Sequence, residues 1–141
     1  MPTFLFKTEP TEYSFADLHA EKHTTWTGVS NNAALAALRA CRKGDQVLIY
    51  HTGDQRSIVG LAKVTSAPKQ DPDRPGLTAD GEPKFAVVDI APVKPARTLV
   101  ALATIKADKR FAKFALVTQS RLSVMLVPPE LDAALRELAG L

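Results

Sequence analysis

The apolar residues of this chain come in short runs broken by Gly, Pro and polar residues, and in the first and last of them apolar side chains recur with a period of two. Residues 3–7, 46–51, 57–65, 85–93 and 121–127 are the runs in question. An extended chain puts alternate side chains on opposite faces, so each run reads as a strand. Pro10 closes the first, and Gly53-Asp54 turns the second into the third as a hairpin. The helical segments between them are short. Ser14 as cap, with Asp17 in the first turn, opens a helix over residues 15–22. Ser30 or Asn31 caps another over 33–42, which turns Leu35 and Leu38 inward and ends in basic residues before Gly44. A third follows Thr98 over 99–106, Leu116-Val117 is a short buried piece, and Pro128-Pro129 opens a last helix over 130–138. No long helix separates strand from strand at regular intervals, which argues against a doubly wound parallel sheet. The class is α+β, with mixed or antiparallel strands and helices packed around them. Five such strands close into a small barrel without leaving bare edges.

At 141 residues the natural count is one domain spanning residues 1–141. The lone cysteine, Cys41, excludes an internal disulfide and the usual thiolate zinc sites, and its Ala-rich surroundings read as a small buried hydrophobe. His19, His23 and His51 are scattered, so neither a metal nor a cofactor is expected. The N-terminal apolar run is too short for a signal peptide, and no segment approaches the roughly 20 apolar residues of a membrane span. The expectation is an intracellular, cytoplasmic protein with no membrane partner. With 18 Lys+Arg against 15 Asp+Glu, the net charge of +3 leaves nucleic-acid binding open without diagnosing it. Residues 67–83, rich in Pro, Asp and Gly, form a loop long enough to be either mobile or functional.

There is no glycine-rich phosphate loop and no nucleophile elbow, so no catalytic motif is present. Four segments are nevertheless polar where a purely structural chain would be apolar. They are Lys7-Thr8-Glu9 at the end of the first strand and the loop 26–32, with Trp26, Ser30, Asn31 and Asn32. The others are Tyr50-His51 and Arg121-Leu122-Ser123. All lie at strand ends or helix starts, where binding groups gather on a rigid frame. Each also has a plain structural reading. Lys7 and Glu9 make a surface ion pair worth under about 1 kcal/mol, Trp26 a core plug, Arg121 a solvated charge.

At these residues the chain resembles the EVE domain, a member of the PUA-like superfamily related to YTH and ASCH domains. The matching pieces are Phe6-Lys7-Thr8-Glu9-Pro10, Trp26-x-Gly28-Val29-x-Asn31, Lys43-Gly44-Asp45-x-Val47-x-x-Tyr50-His51, Ile58-Val59-Gly60-Leu61-Ala62-Lys63-Val64 and Ser120-Arg121-Leu122-Ser123-Val124. They occur in the family's order over nearly the whole chain. The resemblance implies a PUA-like pseudo-barrel of about five to six mixed or antiparallel strands with flanking helices. It also implies a pocket for a nucleobase, in a family linked to modified bases in DNA or RNA. The chain departs from the family where Ser30-Asn31-Asn32-Ala33 stands for Arg-Asn-Tyr-Gln, losing a cation and an aromatic. Thr8, Thr27 and Met125 replace the commoner Ser, Asp and Gln.

On this reading a base flipped from a DNA or RNA strand slots against Trp26, where stacking is worth roughly 1–3 kcal/mol. Asn31, Asn32, Thr8 and Ser123 read its edge, Lys7 and Arg121 meet phosphate or a carbonyl oxygen, and Tyr50 sits near the rim. Tyr13 is read as a packing residue. Flipping itself costs a few kcal/mol, which favours a modified, damaged or unpaired base. Two other readings stay open. One is a small-ligand or protein-interaction domain using the same pocket. The other is an enzyme acting on nucleic acid with Glu9 or His51 as general base.

Overall fold

The computed structural model describes residues 1–141. Strand β1 (Thr3–Thr8) lies one strand in from the edge of a mixed sheet, parallel to β3 (Gln46–His51) on one side and antiparallel to the late edge strand β7 (Val124–Val127) on the other. Beyond β3 come β4 (Ser57–Val64) and the long β6 (Ala86–Ala101), with β2 (Thr24–Trp26) at the far edge. The order is β2-β6-β4-β3-β1-β7, with the short β5 (Lys69–Gln70) pairing β6 off this path. Four strand steps of about 4.8 Å would hold β2 roughly 19 Å from β1 in a flat sheet. Trp26 of β2 instead packs on Phe6 of β1, with ring centroids 5.3 Å apart. The sheet is therefore curled into a half-barrel, and its concave face carries the core. This is the α+β architecture that the sequence implied.

Helices close the open sides. α1 (Phe15–Glu21) is started by the expected capping box: Ser14 Oγ accepts from the Asp17 N–H at 3.0 Å, and Asp17 Oδ2 accepts from the Ser14 N–H at 2.9 Å. Its Phe15 ring lies so close to β4 that a Cβ added at Gly60 would sit 2.6 Å from it. α2 (Asn32–Ala40) is capped by Asn31, whose Oδ1 accepts from the N–H groups of Ala33 and Ala34. α3 (Leu102–Ala107) and α4 (Ala115–Thr118) cover the convex face near the end of β1, and α5 (Pro129–Ala139) packs on β6. Arg136 of α5 reaches Thr3 Oγ1 at 3.1 Å and Gln46 Oε1 at 2.6 Å, which ties the C-terminal helix to two strand starts. Cys41 is buried as expected, and burial pushes its thiol up to about 12, which keeps it protonated and inert.

Three expectations need correction. The fourth strand does not stop at Val93. β6 runs on through Pro92 and Pro95 to Ala101, and the helix expected from Leu99 starts at Leu102. Pairing with β4 overrides the prolines because the register shifts twice there, between Ile58 and Gly60 and between Leu61 and Ala62. Trp26 is not in a loop: it ends β2, opposite Val88 of β6. The last strand is only Val124–Val127, so Arg121, Leu122 and Ser123 precede it. No helix is long and apolar enough to cross a membrane.

Candidate functional site

The end of β1 decides where the polar residues go. Strand alternation sends Lys7 and Thr8 to opposite faces of the sheet. Thr8 pairs with His51 and Lys7 with Tyr50. The two members of each pair face the same way, so the four residues divide between two sides.

On the concave side a cavity of about 280 Å³ opens between the end of β1, the turn that leads into α1, and β2 with the residue after it. Thr8, Tyr13, Trp26 and three further threonines, Thr24, Thr25 and Thr27, line it, with exposed Glu12. Trp26 is 9% exposed. Phe6 lies against its ring, and Tyr13 meets it edge-on with centroids 6.3 Å apart. The indole is thus a wall of the cavity and not an open stacking platform. The Thr8 hydroxyl is spent on the Tyr13 carbonyl at 2.6 Å. The Tyr13 hydroxyl is different: it is buried and has no partner in the chain. Thr24 and Glu21 are its polar neighbours, and burial, the largest cause, pushes the phenol pKa up, so it stays protonated. A buried hydroxyl without a partner costs roughly 1–3 kcal/mol.

On the convex side a second cavity of about 190 Å³ is walled by Lys7, Tyr50 and Arg56, together with Lys106 of α3. Lys7 is half-buried. Its Nζ donates to the Ser120 carbonyl at 3.1 Å and stands 5.8 Å from the Tyr50 ring centre. Burial without a carboxylate partner lowers its pKa. The Tyr50 phenol is pushed up by burial, against a smaller opposing pull from Arg56.

The remaining candidates do not converge with these. His51 is buried, its Nε2 accepting from the Phe15 N–H at 3.0 Å and its Nδ1 facing Gln55 Oε1 at 2.6 Å. That pattern requires the proton on Nδ1, and it leaves no ring nitrogen for a substrate or ligand. Glu9 is held by the Thr11 N–H and hydroxyl and by Thr52 Oγ1, and the backbone bond from Thr11 leads the causes that hold its carboxyl below the usual range. Asn31 spends its Oδ1 on the α2 cap. Ser30 receives Arg74 Nη1 at 3.1 Å, and Asn32 starts α2; neither lines either cavity. Leu122 is in the core, Arg121 is exposed, and Ser123 contributes its carbonyl to the Lys7 N–H at 2.8 Å.

Sequence reasoning missed Tyr13 as a cavity residue, and it missed the threonine run, Arg56 and Lys106. The run Thr24-Thr25-Trp26-Thr27, hydroxyls on both sides of the only tryptophan, was the available signal. Arg74 is also unexpected: residue 67–83 loop chemistry brings its guanidinium to Ser30 and the Val29 carbonyl, 4.5 Å from the Phe85 ring centre, with Asp71 as its ion-pair partner at 3.4 Å.

With this geometry in hand, likenesses to known proteins become informative. The family described as the EVE domain matches residues 3–138. Rat thymocyte nuclear protein 1 is 31% identical over 138 residues, which is 84% of this chain and 61% of that protein. The chain therefore spans about three fifths of this relative's length. An NMR structure of a Rhodopseudomonas palustris protein superposes with a TM-score of 0.88 at 36% identity, covering 99% of this chain and 94% of the other. The crystal structure of human THYN1 protein in complex with DNA containing 5-methylcytosine superposes with a TM-score of 0.85 at 26% identity, covering 98% of each chain.

Proposed function

The chain belongs to the EVE-domain family, and we propose that it binds nucleic acid carrying a modified base, taking that base into the concave cavity beside Trp26. The observation that carries this reading is the cavity of about 280 Å³ itself, walled by Tyr13, Trp26 and four threonines. A volume at the lower end of small-molecule sites suits one nucleobase better than a larger ligand. The lining suits it too. Threonines offer a hydroxyl for a base edge and a methyl for an added alkyl group, and burying one such group is worth about 0.8 kcal/mol. The 5-methylcytosine DNA bound to the human relative makes methylated cytosine in DNA the first ligand to try. Trp26 acts here as a wall that excludes water. Backbone attraction is modest at a net charge of +3, so selection rests on the fit of the cavity.

The test is a titration of matched oligonucleotides carrying cytosine, 5-methylcytosine, 5-hydroxymethylcytosine or N6-methyladenine, with the free nucleosides as controls. One modified strand is expected to bind at least several-fold tighter than its unmodified match. The Tyr13→Phe variant is expected to lose part of that preference while folding at least as stably, since it removes a buried unpaired hydroxyl. Equal affinity for every strand in both proteins would sink the proposal. Binding of a free nucleoside with no oligonucleotide binding would move the function to a small ligand.

A further inference from the structure

The convex cavity holds Lys7, Arg56 and Lys106, and no acidic residue lines it. None of the three makes an ion pair within the chain, although six such pairs form elsewhere. Unpaired cations sharing a concave surface focus a positive potential into it. We infer that this cavity is a second binding site, on the opposite face of β1 from the base cavity, and that its ligand carries a phosphate group.

Lys7 is half-buried in this cavity, while Arg56, though exposed, is held by its own backbone. Arg56 sits in left-handed backbone (φ 41°), an uncommon state for a side-chain-bearing residue. Its carbonyl accepts from the Leu102 N–H at 2.8 Å, and its Nε donates to the Gly53 carbonyl at 3.2 Å. That leaves the outer guanidinium nitrogens free, which are the groups that pair with phosphate oxygens. Lys7 gives one proton to the Ser120 carbonyl and keeps two. Its charge is half-buried with no anion to compensate it, and its lowered pKa reflects that cost. Lys106 is exposed on α3 at the mouth. Leu102, Leu116 and Val117 add apolar wall beside the Tyr50 ring, which would seat the organic part of a phosphoester. The Glu9 carboxylate abuts Thr52 and Gly53 from outside the cavity, where it is held by Thr11 and Thr52, and it is not part of the lining. The inference stands apart from the base-binding reading, because the two cavities share no residue.

The experiment is an amide-resolved NMR titration of the full chain with inorganic phosphate at constant ionic strength, with sodium chloride as reference. Saturable shifts are expected at Thr52, Gly53, Arg56, Lys106 and Ser120. Lys106→Glu is expected to weaken phosphate at least tenfold. Lys43→Glu, the same charge change beyond the far end of β3, is expected to weaken it less than threefold. A nucleoside 5′-monophosphate and an oligonucleotide without modified bases then separate the two sources of phosphate. If the oligonucleotide displaces phosphate from these amides, the source is a nucleic-acid backbone. If only the monophosphate does, it is a free phosphoester. Scattered or unsaturable shifts, or equal effects of the two lysine variants, would overturn the inference whatever the base cavity binds.

Discussion

The two sides of the β1 terminus differ above all in charge. The concave cavity has no cation, one exposed acid, Glu12, and a lining rich in hydroxyls around buried aromatic rings; the convex one is smaller and walled by cations without counter-charges. Neighbouring residues of one strand, Lys7 and Thr8, open onto them separately. The lesson is that a short polar motif at a strand end need not make one site. A pleated backbone splits it, handing shape recognition to one face and charge to the other.

The comparison is broken most severely by Trp26→Ala. Trp26 belongs to the core and to the cavity wall at once, so truncation is expected to cost about 3–5 kcal/mol and to abolish modified-base preference in the fraction that still folds. A urea midpoint close to the wild type would show that the sheet is not curled around this ring. Gly60→Ala comes next. The added Cβ would meet the Phe15 ring, displacing α1, and a loss of about 1–3 kcal/mol is expected from such overpacking. Because Glu12 and Tyr13, in the turn leading into α1, line the concave cavity and nothing from that turn lines the convex one, base preference is expected to weaken while phosphate shifts persist.

Much of the fold was legible because local and global preferences agree. The capping box at Ser14, the Asn31 cap and the short apolar runs of β1 and β3 all act within a few residues. β6 was not legible beyond Val93, since two prolines and Thr98 signal a stop locally and only pairing with β4 keeps the strand going. A three-residue strand such as β2 is too short to show a period. At the site, the polar residues could be picked out but not sorted. The alternation of Lys7 and Thr8 was visible in the sequence; that α1 closes one face and α3 the other was not. His51 illustrates the limit: its exposure to a ligand looked natural at a strand end, yet it is consumed in holding the first turn of α1.

Two smaller effects sharpen the division by lying outside it. Asn31→Ala removes the α2 cap and is expected to cost about 1 kcal/mol, read from a denaturant midpoint, with base preference unchanged. A loss of preference would return Asn31 to the base site. Asp89 of β6 holds β2 through Thr25 Oγ1 at 2.6 Å and β5 through Lys69 Nζ at 2.8 Å. Burial works to raise its pKa, but these bonds and the charges of Lys69 and His23 win, and the folded value lies below the ordinary one. A depressed carboxylate stabilises the fold above its ordinary pKa of about 3.9, and that support fades as pH falls through the folded value. The stability gap between wild type and Asp89→Asn is therefore expected at pH 7 and should close on acidification. A gap that widens in acid would reverse the sign.

The base-side cavity has one built-in reporter, the only tryptophan in the chain. The most direct measurement follows the Trp26 indole, by fluorescence and by its Nε1–H resonance, during titration with DNA carrying 5-methylcytosine and with the unmodified match. A saturable change at Trp26 is expected with the modified strand, at lower concentrations than with its match. Binding detected by another probe while Trp26 stays silent would contradict a base seated on the concave face.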